Sequence, residues 1–409
     1  MKLKLKKYNT ISKKEISSVK EVMKTGALSP FVADYRDSKN DLSFFGGKYV
    51  KKFEKSFAEK FGVKYAISVN SWTSGLIAAV GALDIEPGDE IITSPFTMSA
   101  TAACILHWSA IPIFADIDPI SFNLDPKSVE SKINKKTKAI IVPEIFGNPV
   151  NINSFLKLKK QYKIKLISDT AQSITAKYRG KYSGTLFDIG GFSLNYNKHI
   201  QTGEGGVVVT NNKNYAKRIQ LIRNHAEVVV KKMKVSNYNN LIGFNFRLGE
   251  IEAAIGIEQL KKIENIISFH RNNAKKLISG LKGLKGLTLP LEADKTKHVY
   301  YYFAMQYEEN ETKIKKSEII KKLREQKIPV LDKYQSINLL PTFSKKIAFG
   351  NNSYPWIINS KYNKYKYRAN DCPITKSVNK KFIGIPMCKY KLESKEIKII
   401  IDSFKKIWA

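Results

Sequence analysis

Cysteine is nearly absent: Cys104, Cys372 and Cys388 are the only three in 409 residues, widely spaced and without a CxxC pair. That rules out a disulfide framework and supplies no zinc-ligand spacing, so no metal is expected, and the thiols should be reduced and in or near the core. Long apolar runs are missing as well. None approaches the roughly 18 residues that spanning a bilayer requires, and the start, MKLKLKKYNTISKKE, lacks the apolar stretch of a signal peptide. The expectation is a cytoplasmic protein without membrane insertion. Arginine is scarce, eight residues against 62 lysines, within a formal net charge of +34. Arginine is the preferred fork for phosphate and base recognition, and the lysines are spread from Lys2 to Lys406. With no helix-turn-helix, RNP or zinc-finger pattern, the charge reads as a solvated surface that draws anionic small molecules, and no nucleic-acid partner is expected. The basic run KKMKVSNYNN (231–240) is read either as a contact for a diphosphate or as simply solvated.

What is present is an alternation of strands and helices. The length suggests two or three globular units. Residues 12–25 place Ile16, Val19 and Met23 at helical spacing behind a serine cap, with Gly26 as the stop. Residues 27–47 read as a long irregular stretch that either covers a site or is a plain surface connection. In Val50–Phe61, Phe53, Phe57 and Phe61 stand four apart on one helix face. From Tyr65 to Phe146 each strand runs through a small-residue turn into a helix, the pattern of a parallel sheet wrapped by helices. A long helix is expected from Arg247 towards Leu284 and a strand over 298–306, followed by helices at 317–326 and 393–407 in a smaller α+β domain.

Three places carry chemistry. The turn Ser71-Trp72-Thr73-Ser74-Gly75 opens a helix whose free N–H groups suit an anion, or is simple N-capping. Asp169 ends the apolar strand 164–167; a carboxylate there is costly unless paired, and it is either a ligand at a strand end or a helix cap. Lys198 lies in a turn between two β-rich runs, followed by Gly203-Glu-Gly-Gly206, where glycine allows a tight backbone. Together they suit pyridoxal phosphate: a lysine amine for the aldehyde, an aspartate beneath the ring nitrogen, and helix N–H groups for the phosphate.

VNSWTSGL (69–76), PGDEII (87–92), PFTMSAT (95–101), FADIDP (114–119), SDTAQS (168–173), GTLFDIGGFSLNYNKHIQTGEGGVVVTN (184–211), LIRNHA (221–226) and GFNFRLGEIEAAIGIEQLKK (243–262) resemble the DegT/StrS sugar aminotransferases. The resemblance runs through nearly the whole chain. It implies an α/β fold, the pyridoxal-phosphate-dependent transferase fold type I, with a large domain on a mostly parallel central sheet and a smaller C-terminal α+β domain. The implied division is an N-terminal helix and arm packing with the small domain (1–30), a large cofactor-binding domain (31–270) and a small domain (271–409). By resemblance Lys198 is the Schiff-base lysine and general base, Asp169 the partner of the pyridine nitrogen, and Gln172 a neighbour of the 3′ oxygen. Trp72 and Thr73, through backbone and hydroxyl, hold the phosphate with Ser193. Asn245 reaches the phosphate of the neighbouring subunit's cofactor, which implies a homodimer with shared active sites.

The same resemblance implies transfer of an amino group from glutamate or glutamine to a nucleotide-linked ketosugar. The chain departs from the family pattern at four places. Trp72 stands where glycine is frequent, Met98 where an aromatic ring often stacks on the cofactor, Glu144 where histidine is common, and the 27–47 stretch is longer. Sulfur–π contact would replace stacking at Met98. Some members carry histidine for the lysine and act as pyridoxamine-dependent dehydratases. Here Lys198, not the adjacent His199, is in register with the glycine cluster, which favours transamination. The competing readings are such a dehydratase and a non-catalytic regulatory or nucleic-acid-binding protein on this fold.

Overall fold

The structure, a computed structural model, describes residues 3–32, 43–226 and 233–409. Its centre is a seven-stranded sheet built from β1 (Tyr65–Val69), β2 (Glu90–Thr93), β3 (Ile111–Phe114), β4 (Thr137–Pro143) and β5 (Lys165–Asp169), together with two strands that follow a small antiparallel excursion. That excursion is β6 (Lys177–Tyr178) and β7 (Lys181–Tyr182); the sheet then resumes with β8 (Ile189–Ser193) and β9 (Gly206–Thr210). The strand order is β1-β9-β8-β5-β4-β2-β3. All neighbours pair in parallel except β9, which runs antiparallel to both β1 and β8. The central strands are buried on both faces, as unbroken runs such as Ala139–Val142 require.

Helices cover both faces. On one side α1 (Lys13–Thr25) and α2 (Lys48–Phe61) precede the sheet in sequence, and α2 buries Phe53, Phe57 and Phe61 as their spacing predicts. Their rings meet Phe192 of β8, with Phe57 and Phe61 centroids 5.3 Å and 4.8 Å away. On the other side α3 (Trp72–Ala82) and α4 (Ala100–His107) pack over β1, β9 and β8 or over β2 and β3. Further along come α5 (Pro126–Glu130), α6 (Ile152–Tyr162), α7 (Lys213–Arg223), α8 (Glu250–Lys261) and α9 (Ile263–Leu281). The expected single long helix is thus two, broken at Lys262, whose φ of −107° leaves the helical range.

The second unit is a three-stranded antiparallel sheet of β10 (Leu287–Thr288), β12 (Tyr302–Tyr307) and β13 (Phe382–Pro386), while β11 (Thr296–Lys297) pairs with β6. It packs against α9, α10 (Lys316–Glu325) and, beyond the short α11 (Pro341–Ser344), α12 (Ser360–Lys364) and α13 (Pro373–Lys381), the final α14 (Ser394–Trp408). Residues 337–372 do not stay there. Ile337, Phe343, Trp356 and Tyr367 enter the core beside β2, β3 and β4, and the Tyr367 hydroxyl donates to the Pro112 carbonyl at 2.7 Å.

Two expectations change. The face of α1 that is buried carries Glu15 and Val22, while Ile16 and Met23 are about half exposed. Glu15 decides this: it closes a capping box with Ser12, accepts from Gln259 Nε2 at 2.8 Å and pairs with Lys262, anchoring the helix to α8. The strand over 298–306 begins only at Tyr302. Before it, the Val299 and Tyr301 N–H groups donate to the Gly147 and Phe146 carbonyls of the loop after β4. Gly147 has φ +94°, and a Cβ there would lie 2.7 Å from the Tyr300 nitrogen, so only glycine permits this crossing.

Of the 27–47 stretch, residues 33–42 lie outside the described residues, as do residues 231 and 232 of the basic run. Among the described residues no helix is long and apolar enough to cross a membrane, and no three His, Cys, Asp or Glu side chains are placed to hold a metal. The three cysteines are unpaired and buried.

Candidate active site

A cleft of about 490 Å³ opens at the C-terminal ends of the parallel strands, where ligands of open α/β sheets bind. Three loops enter it from below. The turn after β1 leads into α3, with Ser71 as N-cap accepting from the Ser74 N–H at 3.1 Å. The N–H groups of Trp72 and Thr73, at the start of the helix, have no acceptor within it, and both residues line the cleft. β5 delivers Asp169, and no helix follows it, so a capping role is excluded. The loop after β8 delivers Lys198. It is closed by bonds from the Leu194 N–H to the Gly205 carbonyl and from Tyr196 to Gly203, and Asn195 Nδ2 donates to Glu204 Oε1 at 2.7 Å.

Lys198, Asp169, Trp72, Thr73, Met98, Gln172 and Ser193 all line this one cleft. Lys198 Nζ lies 3.3 Å from the Tyr301 hydroxyl and 4.5 Å from the centre of that ring. Desolvation brings its amine down from the ordinary lysine range to about 8, against the opposing pull of Asp169, Cys388 and Glu204. The lowering raises the share of the unprotonated amine near neutral pH, the form that attacks a carbonyl. The carboxylate of Asp169 is buried and accepts from Trp72 Nε1 and Thr101 Oγ1, each at 2.7 Å. Gln172 Oε1 takes the Phe146 N–H at 2.8 Å, and its Nε2 donates to the Tyr334 hydroxyl at 3.1 Å.

Two residues are placed differently. Met98 is 58% exposed at the rim, its sulfur accepting from the Ala100 N–H at 3.1 Å. Asn245 is exposed and does not line this chain's cleft; its Oδ1 accepts from Arg247 Nε at 2.8 Å. His199 is turned away from the cleft. It is buried, with Nε2 2.9 Å from the Val299 carbonyl, and burial lowers it to about 4. Nothing in the sequence pattern singled out Thr101, Tyr301, Tyr302 or Tyr334. The tyrosines arrive from the second unit; the run Tyr300–Tyr302, three successive phenols, is a local signal that could have pointed to Tyr301 and Tyr302, and none marks Tyr334.

Glu144 sits just after β4 with its side chain buried. Its Oε1 accepts from Ser168 Oγ at 3.0 Å, and the Ser183 hydroxyl also acts on the carboxyl. Desolvation, reinforced by the charge of Asp169, pushes it up to about 8. A carboxyl that binds its proton more tightly folded than unfolded takes stability away as pH rises from its ordinary value to about 8. Glu144→Gln should remove that slope. Calorimetry from pH 5 to 8 is expected to show the variant gaining about 3 °C or more on the parent towards pH 8; parallel curves would exclude Glu144 as the titrating group.

The donor set fits a phosphate-bearing aldehyde with a basic ring nitrogen. A poorly solvated amine, a carboxylate with one oxygen bonded by a single hydroxyl, and a helix N-terminus converge on one cavity. The fold is that of the pyridoxal-phosphate-dependent transferases of fold type I, as solved aminotransferases share it throughout. PseC of Helicobacter pylori, an aminotransferase involved in the biosynthesis of pseudoaminic acid, superposes with a TM-score of 0.81 at 24% identity, over 100% of this chain and 99% of that one. The GDP-4-keto-6-deoxy-D-mannose-3-dehydratase of E. coli, solved with bound hydrated PLP, gives 0.78 at 24% identity over 98% and 99%.

The chain belongs to the DegT/DnrJ/EryC1/StrS aminotransferase family, whose model matches residues 31–405. Among its relatives, the GDP-perosamine synthase of Escherichia coli O157:H7 is 33% identical over 303 residues, 73% of this chain and 80% of that protein.

Proposed function

We propose that the chain uses pyridoxal 5′-phosphate to move an amino group from glutamate or glutamine to the keto carbon of a sugar carried on a nucleoside diphosphate. It would work in the cytoplasm as a homodimer with shared sites, Asn245 reaching the partner's cofactor. One observation supports this most: an amine lowered to about 8 shares a cleft with a buried carboxylate and a free helix N-terminus. When bound, the cofactor supplies an electron sink for the carbon that loses and regains a proton. Lys198 would hold it through its amine and would serve as the base that takes up and returns the proton at the substrate carbon. Asp169 would pair with the ring nitrogen, and Gln172 would neighbour the 3′ oxygen. Thr73, Ser193 and the N–H of Trp72 take the phosphate. Tyr301 and Tyr334 wall the cleft against water.

Lys198 inside the cleft and His199 outside it support transamination over the dehydratase reading. Lysines without a cluster speak against the nucleic-acid reading. The sugar specificity is proposed from the family and from relatives such as the perosamine synthase. The division into 1–30, 31–270 and 271–409 is proposed with it, on the strength of Leu3 in the core of the second unit and the Lys7–Tyr390 bridge. The helix differs from the expectation: only the arm packs with the small unit, while α1 lies on α8 of the 31–270 unit, and 337–372 cross back to the large sheet.

The test is an absorption spectrum before and after borohydride, followed by peptide mass mapping. A visible band lost on reduction, with the phosphopyridoxyl mass on Lys198, is expected. A protein that stays colourless and unmodified with pyridoxal phosphate would remove the aminotransferase reading.

A further inference from the structure

Trp72 does more in this fold than begin a helix. Its indole is buried, 5% exposed, and its Nε1 donates to Asp169 Oδ1 at 2.7 Å. The same oxygen accepts from the Ala171 N–H at 3.2 Å, while Oδ2 accepts from Thr101 Oγ1 at 2.7 Å. Thr101 is itself within 3.1 Å of Thr97 Oγ1. A carboxylate has about four lone-pair directions, so Oδ1 is filled and Oδ2 keeps one. Rotating the carboxylate would break both 2.7 Å bonds at once.

The indole fills a recess that two glycines leave open. A Cβ on Gly191 of β8 would lie 1.9 Å from its Cζ3, and one on Gly75 of α3 2.6 Å from its Cε3. Neither glycine has the positive φ that would demand glycine for backbone reasons, so the indole is what accounts for both. Trp72 thereby ties the two ends of the site together, its backbone at the phosphate turn and its side chain at the strand-end carboxylate.

We propose that the Trp72 side chain is a positioning residue: seated in the recess of Gly75 and Gly191, it orients Asp169 so that Oδ2 alone is presented to the cofactor's ring nitrogen. This rests on the proposed cofactor chemistry. A ring nitrogen that keeps its proton draws electrons from the lysine–cofactor linkage and eases release of the proton there. When Asp169 is loosely held, that linkage should titrate at higher pH.

The holoenzyme, Trp72→Phe and Thr101→Val are loaded with pyridoxal phosphate, and the visible band is titrated with pH alongside equilibrium dialysis. Trp72→Phe keeps the ring and loses the N–H. It is expected to be trapped on Lys198 by borohydride as the parent is, yet to show a midpoint raised by about one pH unit and cofactor affinity about tenfold weaker. Thr101→Val should shift the midpoint the same way. In parallel, Gly191→Ala should lower Tm in the parent and much less in a Trp72→Ala background, a coupling that reads the recess directly. A Trp72→Phe holoenzyme with the parent's midpoint and affinity overturns the proposal while leaving the function intact. A parent that takes up no pyridoxal phosphate brings down the function, and this proposal with it. If Trp72→Phe does not fold, Thr101→Val with an unshifted midpoint, or Gly191→Ala equally costly in both backgrounds, is the overturning result.

Discussion

Lys198→Ala is expected to lower transamination by on the order of 10⁴-fold, the upper range for removing a positioned proton-transfer group. The same change would remove the amine proposed to anchor the cofactor. The fold should survive, because the substitution deletes a poorly solvated amine that donates to the Tyr301 hydroxyl. Lys198→Arg separates charge from chemistry: arginine keeps the cation but does not deprotonate in proteins, so it should be nearly as inactive. Steady-state rates with a glutamate donor, together with thermal melts, check both; either variant turning over at the parent's rate would sink the assignment of Lys198.

Asp169→Asn and Asp169→Ala should each cost about 10³-fold in rate, comparable to losing a preorganised electrostatic group. Borohydride should still trap the cofactor on Lys198 in both, since the amine and the phosphate turn are untouched. Asn carries a further penalty. Trp72 Nε1 and the Ala171 N–H donate to one oxygen of the carboxylate and Thr101 Oγ1 to the other, and an amide offers only one acceptor oxygen against them. One buried donor loses its acceptor or turns away, at a cost of about 1–3 kcal/mol. Asp169→Asn is therefore expected to melt below the parent as well as turn over slowly. Rates at the parent's level in either variant would show that Asp169 does not support the chemistry.

Much of the site could be read along the chain because its parts sit where local patterns change. Asp169 interrupts an apolar strand, Lys198 lies between two β-rich runs with glycines behind it, and Ser71 announces a helix start. These signals are short-range, and the strand-to-helix rhythm that places them at one edge of a sheet is periodic. The buried face of α1 was not legible in this way. Ile16, Val19 and Met23 form an apolar stripe, yet Glu15 is what packs, through Gln259 and Lys262 nearly 250 positions away. Thr101 shows the same limit: its hydroxyl reads as one more small residue in a helix, and becomes a donor to Asp169 only when β2 and β5 lie in one sheet. Tyr301 and Tyr334 reach the cleft because the second unit folds back over it, and Tyr301 is steered there by bonds to the loop after β4.

The sequence by itself determined the alternating architecture, the family, and the lysine and aspartate to which the proposed chemistry is assigned. Each of these follows from hydrophobic periodicity, from glycine placement, or from motifs contained within a few tens of residues. Only the tertiary structure decided which groups surround them. Among the described lysines burial lowers Lys198 to about 8, and it lowers Lys316 and Lys346 too, but of these three Lys198 is the one that lines the cleft. Trp72 became the partner of Asp169 because two glycines from separate elements left room for an indole. Desolvation and directional hydrogen bonds are properties of the assembled interior, where residues distant along the chain fix each other's orientation, and no local window of sequence contains them.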